Sequence, residues 1–194
     1  STMWLARALP EDGYILTMEG RDTHAALGQE NIDNAKLKPT VELKCGRAAD
    51  ILRALPEDTE PFDFIFIDAD KQSYPEYLEL SLSLSRSGTI IFLDNVIRAG
   101  EILNPENQKP SIVGLRDMFK AMQNHPKILS CTALQTIGSK GHDGSDVLPK
   151  TSSWDASQFD IKIFVIKKLQ YNFKQETKYI LKFVYNYILT YFPL

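Results

Sequence analysis

Residues Phe62–Lys71 read F-D-F-I-F-I-D-A-D-K, and Gly88–Asn95 read G-T-I-I-F-L-D-N. Each is a short apolar run that stops abruptly at acidic or amide side chains. Ile- and Phe-rich runs of this length are typical of strands covered on both faces, as in a parallel sheet. Between them, Pro75–Arg86 carries Tyr77, Leu78, Leu80, Leu82 and Leu84, with Pro75 suited to a first helical turn. The whole stretch is therefore a βαβ unit. It sets Asp68, Asp94 and Asn95 at the carboxyl ends of two neighbouring strands. Ligands of open α/β sheets bind in the crevice outside those ends. Three hard oxygen donors converging there suit a Mg²⁺- or Ca²⁺-type ion. A lone aspartate at a strand end would read as a cap; the pair, with Asn95 and Lys71, reads as a site.

Outward from this unit the chain alternates. Upstream, Thr2–Leu9 is helix-like, Pro10–Gly13 is a turn, and Tyr14–Met18 is a strand ending in Glu19. His24–Leu37 has helical spacing despite Gly28. Val41–Cys45 is a strand and Ala48–Leu55 a helix. Downstream, a loop from Val96 to Ser111 holds Gly100, Pro105 and Pro110; a helix over Val113–Gln123 and a strand over Ile128–Thr136 follow. This order predicts an α/β, doubly wound, mostly parallel sheet. Gly138–Gly144 reads as a hairpin turn, since it lacks the spacing of a phosphate loop.

With 194 residues, 43% of them hydrophobic, the chain can bury the core of one ordinary domain. A net charge of −3 without a Lys/Arg stripe points away from nucleic acid. Cys45 and Cys131 lie in apolar runs with no metal-binding or redox spacing, so buried, reduced thiols in a cytoplasmic protein are expected. The opening S-T-M-W-L-A-R-A-L has neither the basic lead nor the long apolar region of a signal peptide. Charge is uneven: residues 159–194 carry +4 and the remainder −7. Tyr179–Phe192 is apolar but broken by Lys182 and Asn186, short of the roughly 20 residues that span a membrane. A helix packed on the domain is expected there rather than an anchor.

Around Asp68-Ala69-Asp70-Lys71 and Asp94-Asn95 the chain resembles the cation-dependent O-methyltransferases of the caffeoyl-CoA and catechol type. The likeness runs from Ser1 to about Gly144: S-T-M-W-L-A-R-A-L-P, then G-R-A-A-D, D-A-D-K-x-x-Y-P-E-Y, L-D-N-V and Q-T-I-G-S-K-G-H-D-G. Several ordered motifs at matching separations make it specific. The resemblance implies a Rossmann-like fold, S-adenosyl-L-methionine as cofactor, a divalent cation (Mg or Ca) and a small phenolic or catechol-like acceptor. It places metal ligands on Asp68, Asp94 and Asn95, and the ribose-binding carboxylate on Glu19. Ala48 falls at the adenine, Asp70 and Tyr77 at the methionine moiety, and Ser1 at the end of the glycine-rich cofactor loop. Lys71 falls on the lysine that assists deprotonation of the acceptor hydroxyl. A homodimer is compatible with this reading.

The chain also departs from the pattern. It begins at the serine that follows the family's E-x-G-x-x-x-G-Y strand and loop, and it diverges after Gly144. The expectation is a methyltransferase domain over residues 1–144, incomplete at its amino end and lacking the first strand, and a divergent segment over 145–194. The missing strand belongs between Tyr14–Met18 and Phe62–Ile67. Phe159–Ile166 can form a strand, but Lys162, Lys167 and Lys168 argue against its full burial in that gap. The chain is accordingly expected to fold poorly and to hold the cofactor weakly or not at all. A non-catalytic fragment or relative that binds no cofactor is the alternative. A nucleotide-binding oxidoreductase is disfavoured because G-x-G-x-x-G is absent.

Overall fold

A computed structural model describes residues 1–129, 131–138, 141–149 and 162–167. Helix α1 (Thr2–Ala8) leads through the Pro10–Gly13 turn into β1 (Tyr14–Glu19). Then come α2 (Asp22–Ala35), β2 (Thr40–Cys45), α3 (Ala48–Arg53) and β3 (Phe62–Asp68). A 3₁₀ turn (Lys71–Ser73) feeds α4 (Tyr74–Ser83), with Pro75 in its first turn as expected. Strand β4 (Ser85–Leu93) starts earlier than the sequence suggests, so the helix does not reach Arg86. The loop after β4 contains a second 3₁₀ segment (Arg98–Leu103) before α5 (Pro110–Met122). Strands β5 (Thr132–Gly138) and β6 (Gly141–Pro149) form a hairpin in which Gly138 and Gly141–Gly144, expected as turn, are paired strand, and β7 (Lys162–Lys167) completes the sheet.

The sheet order is β2-β1-β7-β3-β4-β6-β5, with β1, β2, β3, β4 and β7 parallel and β6 antiparallel to β4 and β5. Strand β3 alternates as a doubly covered strand should. Ile65 and Ile67 join Leu16, Met18, Leu78, Leu93 and Leu115 in a core on one face; Phe64 and Phe66 join Leu5, Ile15, Phe92 and Val147 on the other. The Phe66 and Phe92 rings stack with centroids 5.5 Å apart.

Two expectations change at the carboxyl end. The position between β1 and β3 is not left vacant: β7 pairs in parallel with both. Lys162 stands opposite Tyr14, and Lys167 opposite Asp68, so the lysines fall at the strand's ends and Ile163–Ile166 run across its middle. The backbone can take this place because the polar residues sit at the rims of the sheet. The segment after Gly144, despite its divergence, continues β6: Asp146, Val147 and Leu148 pair with Leu93, Phe92 and Ile91. The chain leaves β6 beside Ile90 and enters β7 beside Tyr14, both at the amino-terminal rim of the parallel strands.

The thiols also differ from expectation. Cys45 and Cys131 are free and exposed. Cys45 Sγ donates to Asp22 Oδ1 at 3.0 Å, and Cys131 Sγ lies 3.2 and 3.1 Å from the two Asp146 carboxylate oxygens. Tyr179–Phe192, expected to be a packed helix, lies outside the described residues. Among the described residues no helix is long and apolar enough to cross a membrane.

Candidate functional site

The carboxyl edge of the parallel strands brings the candidate residues together. Glu19 ends β1, Asp68 ends β3, and Asp94 and Asn95 follow β4. The Asp94 amide donates to the Ile67 carbonyl at 2.9 Å, which extends the β3–β4 pairing to the point where the two acids emerge. Burial pushes the Asp94 carboxyl up to about 6, and the negative charge of Asp68 adds to the shift. Two carboxylates sharing a poorly hydrated corner favour a cation between them.

Lys71 supplies part of that charge. It is not a solvated loop lysine: its side chain is only 8% exposed. Nζ lies 3.3 Å from Asp68 Oδ1, 2.5 Å from the Tyr74 hydroxyl and 4.6 Å from the Tyr74 ring centroid. Burial lowers its pKa, while Asp68 and Asp94 oppose that shift. The turn holding Lys71 is pressed by α5 at Gly114, where a Cβ would stand 2.5 Å from the Lys71 carbonyl oxygen and 2.6 Å from Gln72 Cα. Only glycine permits that approach.

Three residues with no role assigned from sequence complete the corner. Tyr74 is fully buried, and its hydroxyl lies within donating distance of the Ile67 and Asp94 carbonyls, at 3.0 and 2.9 Å. Ser145 Oγ donates to Asp94 Oδ1 at 2.9 Å. Asp143 Oδ1 accepts from the Ile97 and Arg98 amides at 3.3 and 3.0 Å. Tyr74 was visible within D-A-D-K-x-x-Y-P-E-Y, three residues after Lys71. Asp143 was visible within Q-T-I-G-S-K-G-H-D-G but had no role attached, and Ser145 had no local signal, being 51 residues from the atom it meets.

The remaining candidates lie along the same edge. Glu19 is buried; its Oε1 accepts the Arg21 amide at 3.1 Å and stands 3.7 Å from His24 Nδ1. Ala48, buried, opens α3 just after β2, whose Cys45 is the register partner of Glu19. Asp70 Oδ1 accepts from the Tyr77 hydroxyl at 2.8 Å, and Tyr77 is itself core. Ser1 caps α1 through its carbonyl, which accepts from the Trp4 and Leu5 amides. The α1 start is tied to β1 by a 3.2 Å contact between the Thr2 and Thr17 hydroxyls. Between Glu19 and Asp68 lies one strand, a separation of about 10 Å at the usual strand spacing.

Beyond Asn95 the chain borders a groove of about 800 Å³ lined mainly by Ile97, Ala99, Ile102, Leu103, Phe119 and Ala133. Arg116 holds its rim by donating to the Ile102 and Asn107 carbonyls, each at 3.0 Å. Among the described residues there is no group of three or more His, Cys, Asp or Glu able to hold a metal. Asp68 and Asp94 meet at the ends of β3 and β4, and Asn95 is the next residue along the chain.

The profile of the O-methyltransferase family matches residues 1–139. The chain belongs to the O-methyltransferase family. A catechol O-methyltransferase of Niastella koreensis is 47% identical over 145 residues, which cover 74% of this chain and 65% of the relative. A catechol O-methyltransferase of Mycobacterium tuberculosis is 40% identical over 144 residues, covering 74% and 64%. The chain thus spans just under two thirds of the length of these curated relatives. Among solved structures, an O-methyltransferase from Bacillus cereus in complex with SAH superposes with a TM-score of 0.72 at 45% identity, covering 77% of this chain and 68% of that one. The sheet with helices on both faces is therefore the Rossmann-like fold of this O-methyltransferase family.

Proposed function

We propose that the protein to which this chain belongs is a divalent-metal-dependent O-methyltransferase that uses S-adenosyl-L-methionine and acts on a catechol-like or caffeoyl-CoA-like hydroxyl. What supports this reading is the position of Asp68, Asp94 and Asn95 at the ends of the adjacent strands β3 and β4, with the buried Lys71 beside Asp68. The donor set is all oxygen, which fits Mg²⁺ or Ca²⁺ rather than a soft metal. When bound, such an ion supplies Lewis-acid polarisation of an acceptor hydroxyl and a template for it.

The chain's own residues supply the rest. Asp68, Asp94 and Asn95 hold the ion. Lys71 Nζ, buried beside Asp68, takes the acceptor's proton or stabilises the phenolate. The Glu19 carboxylate accepts from the ribose hydroxyls, Ala48 lies against the adenine, and Asp70 with Tyr77 and Ser1 flank the methionine end. The apolar wall from Ile97 to Leu103 orients an aromatic acceptor for in-line attack, where alignment is the main demand.

The test is methyl transfer from S-adenosyl-L-methionine to catechol by the purified protein, with Mg²⁺ and with excess EDTA. Turnover with Mg²⁺ that is lost in EDTA and in Asp94→Ala is expected. Turnover undiminished by either change would overturn the metal assignment.

A further inference from the structure

Resting on the metal reading just given, we infer that Asp143-Gly144-Ser145 on β6 is a positioning clamp that orients the Asp94 carboxylate and fixes the loop following it. Both hydrogen bonds to the Asp94 carboxylate fall on one oxygen: Oδ1 accepts from Ser145 Oγ at 2.9 Å and from the Asn95 amide at 2.8 Å. Among the described residues the other oxygen, Oδ2, accepts none, so the clamp sets the rotation of the group and presents one oxygen to a ligand.

The adjoining loop is held in costly geometry. Asn95, Arg98 and Ala99 have φ of 56°, 53° and 55°, a region that side chains with a Cβ rarely adopt. Such strain persists only where the surroundings over-determine it, and it gathers at functional sites. Here the surroundings are three consecutive residues of β6. Asp143 Oδ1 receives the Ile97, Arg98 and Gly144 amides, and the Val96 amide donates to the Gly144 carbonyl at 2.8 Å. A Cβ on Gly144 would stand 2.3 Å from Ile97 Cδ1 and 2.7 Å from the Leu134 carbonyl oxygen, so this strand approaches the loop as closely as a backbone can. Ser145 is 5% exposed, and among the described residues its hydroxyl bonds to Asp94 alone. The same loop forms one wall of the apolar groove, which couples ion placement to acceptor placement.

Partners that orient a metal ligand typically govern affinity by 10–100-fold. The experiment combines Mn²⁺ titration, followed by electron paramagnetic resonance, with amide hydrogen exchange on the full 194-residue chain. Ser145→Ala is expected to weaken Mn²⁺ binding by about 10–100-fold, and Ser145→Thr, which keeps a hydroxyl, to restore it. Asp143→Ala is expected to speed exchange of the Ile97 and Arg98 amides by about tenfold or more, with Asp143→Asn restoring protection. Val147→Ala, which opens the apolar core two residues further along the same face of β6 and away from Asp94, is expected to leave Mn²⁺ affinity unchanged. Unaltered exchange in Asp143→Ala overturns the clamp whatever the ion does. Unaltered affinity in Ser145→Ala, or an equal loss in Val147→Ala, overturns the positioning role and leaves the proposed function standing. Failure of the parent chain to bind Mn²⁺ overturns the metal reading, and the positioning role with it.

Discussion

Lys71 Nζ donates to the Tyr74 hydroxyl at 2.5 Å, while that hydroxyl stands within reach of the carbonyls that close β3 and precede Asn95. One buried phenol thus ties the lysine to both strand ends that carry the acids. Tyr74→Phe removes the acceptor from Lys71 and the donor from the carbonyls. A buried group left unsatisfied costs about 1–3 kcal/mol. We expect a loss of that size in urea denaturation and a fall in kcat with little change in the acceptor KM. A variant with wild-type kcat would show that Tyr74 only fills space.

Lys71→Met separates chemistry from architecture. The lysine is desolvated, so an apolar replacement should hold or raise stability while the methyl-transfer rate drops by roughly 10²–10⁴-fold, the range for a lost general base. Affinity for S-adenosylhomocysteine should stay near that of the parent. Retained turnover would place the lysine outside the reaction.

Gly114→Ala tests the contact that seats the Lys71 turn. The neighbours of the new methyl are backbone atoms of Lys71 and Gln72, which cannot rotate aside. Overpacking of this kind costs about 1–3 kcal/mol. A lowered melting temperature accompanied by reduced turnover is expected; an unchanged melting temperature would mean that α5 shifts freely.

Asp146 gives a pH signature. It is fully buried, and burial raises its pKa, opposed by the Cys131 thiol and the backbone amides. The folded state therefore binds the proton more tightly than the unfolded chain. Its stabilising share is complete below the usual carboxylate range and is lost as pH rises through the folded value. Wild type should lose more stability than Asp146→Asn between pH 4 and pH 7 in paired urea titrations. Parallel profiles would contradict the assignment.

Ending the chain after Pro149 removes β7 and strips the facing edges of β1 and β3 of their hydrogen-bond partners. The shortened chain should show no cooperative thermal transition by circular dichroism. A peptide spanning residues 159–168 should restore one by strand addition. A cooperative transition without the peptide would show that the sheet closes by another route.

Much of this protein was legible in local sequence. The runs ending at Asp68 and Asp94 declared two buried parallel strands and placed the candidate residues at their carboxyl ends, because apolar saturation and an abrupt polar stop are properties of a few adjacent residues. Glu19 at the end of β1 was legible in the same way. Other features needed the tertiary structure. That Lys71 is buried follows from α5 pressing on its turn at Gly114, and that Asp94 is oriented by Ser145 follows from a hairpin 51 residues away. The placement of β7 is the sharpest case. Its lysines argued against a central position when counted as composition, yet the register carries them to the strand's ends. Local pattern decides what a segment can become; which distant segment lies beside it is decided by pairing and packing energies that no local pattern contains.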